Sequence, residues 1–558
     1  MGIGSDHFIE SLFMTKDVFY PFWYGDKCSI NTTKLTKFLA TIGFGRYQSS
    51  PGHSASWTLF RNNRNILQIH DASSAKRVLS NYIEKDKSLT DEIKDAILDK
   101  IIRTTSSTFN TYLSHLPAWS SEKYEGTQHL KIFMDNEKSC YLPFLNGVVA
   151  IDADRISLKP YDILEDECIW DTSRINHKIT VFDNNKVPPQ IDQTFRDFVH
   201  FALKTDQTPN VGDLHKKYDD GTASKTYQET KNAFETGYGY MIHNFNPADE
   251  MKMVVFADLE SSSSRAEGRN GKSLTMKTLE WYKKTTFVDG KMFRKSLNDS
   301  ARFNFSSVTV DSRLVVINDL NPDLDLTQLF SQITDDFTIE GKGTNKIIIP
   351  FDKKPKMCCN TNYVLSGAGA SYEGRQHIVE FGNYFNRCEH KHLKPKDILG
   401  KKIGGKDFGP EDWDAFYSYG FHCIQRYLKE GLVRAQNSSY QKKNLIQVVE
   451  GESGTGELVD WLENWCKTTR ISGNYNIDGI SEDDIYYQFV SDNPELAPFW
   501  NKGNFNTAVY EFATNADGFD YNPHNSSKGN TKSKRKWRKG PQGAQVYFVK
   551  ITHTDDLK

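Results

Sequence analysis

The sequence has no apolar run of about 18 residues or more, the length that a membrane-spanning helix needs. Its first residues, MGIGSDHF, also lack the basic and apolar segments of a secretory signal. The sixth residue is Asp6, where a myristoylation signal needs Ser or Thr. These absences predict a soluble, cytosolic protein.

A C-x-x-C motif and an excess of one charge are also missing. The eight cysteines lie far apart, except for the adjacent Cys358 and Cys359, a distribution typical of a reducing compartment. The 70 basic residues nearly balance the 72 acidic ones, so the net charge of −2 does not indicate a polyanionic partner. Any nucleic-acid site must therefore be local. The length of 558 residues predicts roughly three or four domains.

Residues 251–277, MKMVVFADLESSSSRAEGRNGKSLTMK, run from an apolar strand through a loop of small residues into a helix. This order is typical of a phosphate-binding loop, whose backbone N–H groups and following helix N-terminus face a polyphosphate. In such a loop Lys272 would reach the outer phosphates and Ser273 would bind Mg²⁺. The usual pattern, G-x-x-x-x-G-K-[ST], has glycine where this chain has Ala266. The predicted nucleotide-binding residues are Gly268, Arg269, Asn270, Gly271, Lys272, Ser273 and Leu274.

Two predicted buried strands with polar ends follow the loop. The apolar run 313–317 predicts a parallel strand, and it is followed by Asn318 and Asp319, where phosphate-loop ATPases carry their Mg²⁺-binding acid. Many such enzymes have two acids at this position, whereas here the first residue is an amide. The second strand, in the segment 356–363, ends in amides, among which Asn362 is placed to sense a γ-phosphate.

Two further segments complete this part of the chain. The apolar runs 337–339 and 346–351 flank a glycine-containing turn, which predicts a β-hairpin with Lys342 at its tip. A basic hairpin tip is also compatible with a simple solvated turn. Arg375 directly precedes an apolar strand predicted at 376–381.

The order of these motifs, GRNGKS, VVIND, the basic hairpin, CNTN and GRQHIVEF, resembles the superfamily 3 helicases, in particular their phage, plasmid and poxvirus primase-helicase group. The resemblance covers about residues 130–435 and includes FLNGVVAID upstream and FGPEDW downstream. It implies a hexameric ring with an AAA+-like core, ATP hydrolysis between subunits, and single-stranded DNA in the central channel. In such a ring the hairpin lysines, Lys342 and Lys346, would grip the strand.

The resemblance also implies a role for each matching residue of the nucleotide site. Lys272 and Ser273 would bind phosphate and Mg²⁺, and Asp319 would hold the metal or polarise water. Asn362 would be the sensor. Arg375 would reach the γ-phosphate bound to the neighbouring subunit, as an arginine finger does.

An alternative activity is suggested upstream by Asp152 and Asp154, which follow an apolar strand. Two carboxylates two residues apart on a strand share a face, as two-metal nucleotidyl transferases of the primase type require. Those enzymes also need a Ser-x-His motif, and here Ser173 and His177 stand at the wrong spacing. A polar hairpin end after Asn146 is the simpler interpretation.

The C-terminal segment has the pattern of a winged helix, with helices predicted at 481–491 and 504–516 and strands at 518–521 and 544–551. Between the two strands lies the densest basic segment of the chain, which attraction to phosphates would explain. A solvated loop is the competing interpretation. The predicted DNA-binding residues of this segment are Lys528, Lys532, Lys534, Arg535, Lys536, Arg538 and Lys539.

We therefore expect a multidomain α/β protein with an AAA+-like phosphate-loop ATPase core, N-terminal α/β modules and a C-terminal winged-helix-like domain. The predicted limits are 1–110 for an N-terminal α/β module, 111–220 for a primase-helicase-type accessory domain, 221–435 for the ATPase domain, 436–470 for a linker with a helix and 471–558 for the winged-helix-like domain.

The predicted function is that of an ATP-dependent replicative DNA helicase from a phage or other mobile element, acting in the host cytoplasm. Two alternatives stay open. One is a bifunctional primase-helicase, and the other is a DNA-binding replication initiator with weak or no ATP hydrolysis, which Ala266 and Asn318 would allow. The expected cofactors are ATP and Mg²⁺. The expected partners are single-stranded and forked DNA, further copies of the chain in a hexamer, and other replication proteins.

Overall fold

The computed structural model describes residues 22–24, 29–48, 57–121, 126–204, 225–258, 269–293, 303–320, 324, 326–341, 346–365, 370–382, 384–386, 394–435, 439–451, 456–471, 480–516, 519–521, 536–539, 545–549 and 551–553. Its strands, in chain order, are β1 (Trp23–Tyr24), β2 (Ser29–Ile30), β3 (Phe44–Tyr47), β4 (Thr58–Asn63), β5 (Ile66–His70), β6 (Ala118–Ser120), β7 (Gln128–His129), β8 (Ser139–Phe144), β9 (Gly147–Asp152), β10 (Ile156–Lys159), β11 (Ile169–Trp170), β12 (Met253–Asp258), β13 (Thr285–Asp289), β14 (Leu314–Asn318), β15 (Phe337–Ile339), β16 (Ile347–Ile349), β17 (Lys356–Asn360), β18 (Gln376–Phe381), β19 (Ile480–Ser481), β20 (Phe519–Tyr521), β21 (Lys536–Lys539), β22 (Gln545–Val549) and β23 (Ile551–His553).

The α-helices, in the same order, are α1 (Thr32–Thr41), α2 (Ala72–Lys85), α3 (Asp91–Arg103), α4 (Ser106–Leu113), α5 (Thr194–Ala202), α6 (Lys225–Ile242), α7 (Lys272–Thr278), α8 (Phe330–Thr334), α9 (Ala370–Glu373), α10 (Pro395–Leu399), α11 (Pro410–Glu430), α12 (Ser439–Glu450), α13 (Glu457–Ile471), α14 (Glu482–Asp492) and α15 (Lys502–Asn515). Within this described part of the chain, no helix combines the length and the apolar character needed to span a bilayer.

Five parallel strands form the central sheet, in the order β13-β14-β17-β12-β18. β12 and β17 are buried at every residue, which explains their nearly unbroken apolar sequences. The strands predicted before the phosphate loop, before Asn318, before Asn362 and after Arg375 are all present. The fold is therefore mixed α/β with a parallel sheet, as the sequence predicted.

Two hydrophobic layers enclose this sheet, because successive side chains of a strand point to opposite faces. Val254 and Phe256 of β12 belong to one core cluster, together with apolar residues of α6 and α11. Met253 and Val255 belong to the other cluster, which Phe337 of β15 also joins. The sheet is thus covered on both sides, and its carboxyl edge is the part that a ligand can approach.

A six-stranded sheet lies in the N-terminal part of the chain, in the order β11-β5-β4-β3-β6-β7. β3, β4 and β5 precede the predicted domain limit at residue 110, whereas β6, β7 and β11 follow it. Strands from both sides of that limit therefore share one sheet. β11 pairs in parallel with β5, although about a hundred residues separate the two strands, as Ile169 opposite Ile66 illustrates.

The apolar segment 57–60 and the two asparagines after it predict a strand that ends at a turn at 62–63, but the turn between β4 and β5 lies two residues later. Arg64 and Asn65 adopt the left-handed conformation there, with φ of 52° and 65°. Asn62 instead supports the turn, because its Oδ1 accepts a hydrogen bond from the backbone N–H of Asn65 at 2.9 Å.

The sequence Ser88-Leu-Thr-Asp91 has a capping pattern and predicts a helix that begins at Ser88, but this prediction is wrong. The helix α3 begins at Asp91, with Thr90 as its N-cap. Ser88 cannot serve as the cap because its hydroxyl donates to the carboxylate of Asp86 at 2.6 Å.

The segment predicted as an accessory domain packs directly on the central sheet region. β8, β9 and β10 form an antiparallel meander whose apolar residues share a core with α11. The ring centroid of Phe144 in β8 lies 4.9 Å from that of Tyr417 in α11. The end of α5 is joined to the end of β18, since the backbone N–H of Gly382 donates to the carbonyl of Ala202 at 2.8 Å.

β15 and β16 pair antiparallel, with Phe337 opposite Ile349, which confirms the predicted hairpin. The residues of its tip, among them Lys342, lie outside the described residues.

The C-terminal module begins with α12 and α13 and continues as β19, α14, α15, β20, β21, β22 and β23. β19, β22 and β21 form a three-stranded sheet in that order, and β20 pairs with β23. Leu462 of α13 shares a hydrophobic core with Phe489 of α14 and Phe505 of α15. The segment 436–470, predicted as a linker with a helix, therefore contributes to the core of this module.

Candidate functional site

A cleft of about 770 Å³ opens at the carboxyl edge of the central sheet. Ligands of open parallel sheets bind at this edge, and the volume lies in the usual range for small-molecule sites. The cleft is lined by residues 269–274, by Asn318 at the end of β14 and Asp319 after it, and by Asn360 at the end of β17 and Asn362 shortly after it. The structure thus brings the described residues of the predicted nucleotide loop together with the predicted acid and sensor.

The turn that leads into α7 requires glycine at position 271. Gly271 has a φ of 96°, and a Cβ atom there would lie 2.7 Å from Cζ of Phe198 in α5. Arg269 also has a positive φ, of 76°, and such strain in a residue other than glycine is found at functional loops. Gly268 and Ala266 lie outside the described residues.

Lys272, the first residue of α7, is held by two side chains. Its Nζ contacts Oδ1 of Asp258, the last residue of β12, and it donates to Oδ1 of Asn362 at 2.9 Å. Burial lowers the pKa of the Lys272 ammonium below its ordinary value, although the carboxylate of Asp258 opposes that shift. The lysine is therefore positioned within the cleft rather than extended into solvent.

Asn360 connects the two predicted Mg²⁺ ligands. Its Nδ2 donates to Oγ of Ser273 at 2.9 Å, and its Oδ1 accepts a hydrogen bond from the backbone N–H of Asp319. Oγ of Ser273 also lies 3.4 Å from Oδ1 of Asn318. Because Asn360 is buried, this bridge fixes a hydroxyl and a carboxylate residue at a common edge of the cleft.

Asp319 has a backbone φ of 60°, a left-handed conformation that aspartate tolerates better than most residues. Its Oδ2 lies 3.4 Å from Nζ of Lys291, whose side chain is 72 % exposed. An exposed ion pair of this kind contributes little free energy, so the carboxylate can exchange this partner for another.

Arg375 lies at the opposite edge of the sheet from the cleft. It directly precedes β18, whose first residue pairs with Met253 and whose last residue, Phe381, pairs with Asp258. At about 3.3 Å per strand residue, roughly 20 Å of strand separates Arg375 from the level of Asp258. The guanidinium carbon of Arg375 lies 4.5 Å from the ring centroid of Phe330 in α8.

Asp258, Asn360 and Lys394 were not among the predicted site residues, although each lines the cleft or contacts a residue that does. Asp258 and Asn360 occupy the last positions of β12 and β17, where polar residues end apolar strands, and that sequence signal could have identified both. Lys394, which lines the cleft together with Pro395, has no comparable signal because it comes from a distant segment of the chain.

The carboxylates Asp152 and Asp154 lie at the turn between β9 and β10. Oδ1 of Asp152 accepts hydrogen bonds from the backbone N–H groups of Asp154 and Arg155, at 2.9 and 2.7 Å. This geometry favours the hairpin interpretation over the metal site. No group of three or more His, Cys, Asp or Glu side chains suited to a metal ion is present in the part of the chain that the structure describes.

The predicted DNA contacts fall in two places, only partly covered by the described residues. Lys346 is exposed directly before β16. In the C-terminal module Lys536, Arg538 and Lys539 belong to β21, which pairs with β22. The remaining predicted contacts lie outside the described residues, namely Lys342, Lys528, Lys532, Lys534 and Arg535.

No family model and no curated protein matches the chain. Among solved structures, the apo A form of the NrS-1 C-terminal region matches with 12 % identity and a TM-score of 0.36, covering 93 % of this chain and 98 % of that one. A second A-form apo structure of the same region matches with 10 % identity and a TM-score of 0.38, covering 92 % and 98 %. A JCV helicase with a bound small molecule matches with 13 % identity and a TM-score of 0.19, covering 55 % and 72 %. Likenesses this weak carry no argument, so function has to be inferred from the residues of the chain itself.

Proposed function

We propose that the protein is an ATP-dependent replicative DNA helicase of a phage or other mobile element, a ring-forming motor that hydrolyses ATP between subunits. The observation that carries the proposal is the convergence of Lys272, Ser273 and Asp319 on one cleft at the carboxyl edge of a parallel sheet. A buried ammonium, a hydroxyl and a carboxylate in this arrangement suit a polyphosphate with its metal ion.

The strand order supports an AAA+-like core. β14, which ends in Asn318, is separated from β12, which precedes the phosphate loop, by β17. The amides at the end of β17 therefore lie between the phosphate-loop lysine and the predicted acid, where Asn362 contacts Lys272 and Asn360 contacts Ser273. A sensor of nucleotide state belongs at this position, because it touches both halves of the cleft.

The donor atoms of the cleft fit Mg²⁺. Ser273 and Asp319 would hold the ion, with Asn318 beside them, and Mg²⁺ prefers oxygen ligands and keeps waters and substrate phosphates in its coordination. When bound, the ion supplies positive charge that offsets charge on the phosphate oxygens. The chain itself contributes the ammonium of Lys272, the fixed positions of Ser273 and Asp319, and an amide of Asn362 that orients the lysine.

The position of Arg375 supports hydrolysis between subunits. The arginine lies at the amino edge of the sheet, far from the cleft of its own subunit. In a ring with head-to-tail contacts, the amino-edge region of one subunit can face the cleft of the next. We infer that Arg375 acts on the nucleotide of a neighbour.

The C-terminal module supports DNA binding. Its order of α13, β19, α14, α15, β20, β21 and β22, with β22 between β19 and β21, supports a winged-helix-like domain. The basic segment that leads into β21 would form a DNA-binding wing, and its phosphate contacts would serve loading onto forked DNA.

One alternative keeps support from a specific observation. Asn318 is an amide where an acid is common, and the ammonium of Lys272 is already in contact with the carboxylate of Asp258. Both features would suit a replication initiator that binds nucleotide and hydrolyses it slowly. ATP turnover with and without single-stranded DNA separates the two functions, since a helicase is stimulated by the strand and an initiator is not.

The central test compares Lys272→Ala with Lys277→Ala. Lys277 lies in the same helix but is exposed and does not line the cleft, so it is a matched control. We expect Lys272→Ala to abolish ATP hydrolysis and forked-DNA unwinding, and Lys277→Ala to preserve both. Normal turnover in a Lys272→Ala protein with an unchanged circular dichroism spectrum would refute the proposal.

A further inference from the structure

Lys272, on which nucleotide binding depends in the proposed function, already has a carboxylate partner in this structure. Oδ1 of Asp258 contacts Nζ of Lys272 and also accepts a hydrogen bond from Nδ2 of Asn270 at 2.6 Å. The two side chains of the ion pair are almost completely buried, with 5 % of Lys272 and 4 % of Asp258 exposed. An ion pair removed from water is little screened, so the two groups hold each other firmly.

The surroundings of Asp258 make Lys272 its essential partner. Within the described residues, Lys272 is the one cation in contact with this carboxylate. Its second oxygen, Oδ2, is buried and has no hydrogen-bond partner among those residues, and the same is true of Oδ1 of Asn270. A buried carboxylate that loses its cation is strongly destabilised, so Asp258 resists release of the lysine.

A nucleotide phosphate would need the same ammonium. Phosphate and carboxylate are both anions, so they compete for Lys272, and at close range they repel each other. The backbone of Asp258 is fixed, because this residue is the last of β12 and pairs with Phe381 in the sheet, so its carboxylate stays close to Lys272. Binding of a polyphosphate therefore has to weaken the Lys272 to Asp258 contact.

We propose that Asp258 holds Lys272 in the nucleotide-free subunit and competes with nucleotide phosphate for it. The proposal rests on the proposed function, because it assumes that the phosphate loop binds nucleotide. Nucleotide binding is then an exchange of one anion for another at Lys272. Asp258 is a positioning residue that keeps the lysine in place when the cleft is empty and promotes release of the product after hydrolysis.

The test measures binding of a fluorescent N-methylanthraniloyl ADP with Mg²⁺ to the full chain. Asp258→Asn and Asp258→Ser both remove the competing charge. We expect each to lower the dissociation constant by roughly tenfold, the order of effect of one charge-assisted contact that no longer has to be broken. Asp99→Asn, which removes an exposed carboxylate from α3, serves as the control and should leave the constant unchanged.

The direction in which the dissociation constant changes separates competition by Asp258 from a merely structural role of this residue. A variant with a damaged loop would bind the fluorescent ADP more weakly, so unchanged or weaker binding by the folded Asp258 variants would overturn the proposal. Failure of the proposed function gives a different result, since Lys272→Ala would then bind as tightly as the unaltered protein.

A second measurement needs no variant and applies even where the Asp258 substitutions prevent folding. Lysine acetylation of the nucleotide-free protein is followed by mass spectrometry, with the buried Lys283 as an internal reference. A lysine held by Asp258 should be acetylated as slowly as Lys283. Rapid acetylation of Lys272 in the absence of nucleotide would contradict the proposal.

Discussion

Substitution of Arg375 gives the sharpest test of the proposal that ATP is hydrolysed at the interface between neighbouring subunits. About 20 Å of strand separates it from the level of Asp258 and Lys272, whereas an extended arginine reaches only about 7 Å from its Cα atom. Arg375 therefore cannot touch nucleotide bound in its own cleft. If it is an arginine finger, Arg375→Ala should lower ATP turnover by about 10³-fold or more.

Mixing two inactive variants tests action between subunits directly, because the expected recovery of ATP turnover can be calculated. An interface is intact when one subunit supplies Lys272 and its neighbour supplies Arg375. In an equal mixture of Arg375→Ala and Lys272→Ala chains, about one interface in four meets this condition if subunits assemble at random. We therefore expect recovery of up to about a quarter of the unaltered turnover, with a maximum near the equal ratio.

The assay is steady-state phosphate release over a series of mixing ratios, with mixed assembly verified by cross-linking of differently tagged chains. The competing role for Arg375 is packing on Phe330, whose ring lies 4.5 Å away. An arginine that only packs would lower the melting temperature when removed, and mixing would restore nothing. No recovery at any ratio, in rings shown to contain both chains, would refute action between subunits.

Three other predictions concern the acid, the bridge and the wing. Asp319→Asn should retain nucleotide binding and lose hydrolysis by at least about 100-fold, because an amide is a weak metal ligand and cannot polarise a metal-bound water; equal loss of both would indicate a structural role. Asn360→Ala should lower the free energy of unfolding by about 2 kcal/mol, because the hydrogen bonds to Ser273 and Asp319 are lost. It should also reduce ATP turnover more than nucleotide affinity. Denaturant titration and turnover assays measure the two effects, and an unchanged turnover would show that the contacts of Asn360 do not position Ser273 and Asp319 for hydrolysis. Neutralising four basic residues of the predicted wing together should flatten the salt dependence of forked-DNA binding by a slope of about one per lost contact, and an unchanged slope would leave the segment as a solvated loop. The four residues are Lys534, Arg535, Lys536 and Arg538.

The strands around the cleft could be predicted from the sequence because buried parallel strands have continuous apolar runs with polar ends. β12, β14, β17 and β18 were recognised in this way, as was the hairpin of β15 and β16. The pairing of β11 with β5 could not be predicted, since no local pattern links Ile169 to Ile66. The turn at Arg64 and Asn65 was misplaced because arginine rarely takes a positive φ, whereas the preceding asparagines commonly do.

The candidate site was accessible to sequence reasoning only in part. The motif spacing placed Lys272, Ser273 and Asp319 near one another, but the partners of these residues depend on strand register. Asp258 meets Lys272 because β12 ends beside the start of α7, and Asn360 is buried while Asn362 contacts the lysine. Which of two neighbouring amides forms which contact is decided by packing, and the sequence alone does not contain that information.

The contact between Phe198 and Gly271 has a consequence for how the chain can be divided. A fragment that starts at residue 221, the predicted beginning of the ATPase domain, would lack Phe198, whose ring lies close to Gly271. It would also lack the carbonyl of Ala202, which accepts a hydrogen bond from the backbone N–H of Gly382. The segments before and after residue 221 are therefore not separate modules, because apolar residues of both belong to one hydrophobic core. We therefore expect that a fragment able to fold on its own must begin before α5, because a cut at residue 221 would separate Gly271 from Phe198.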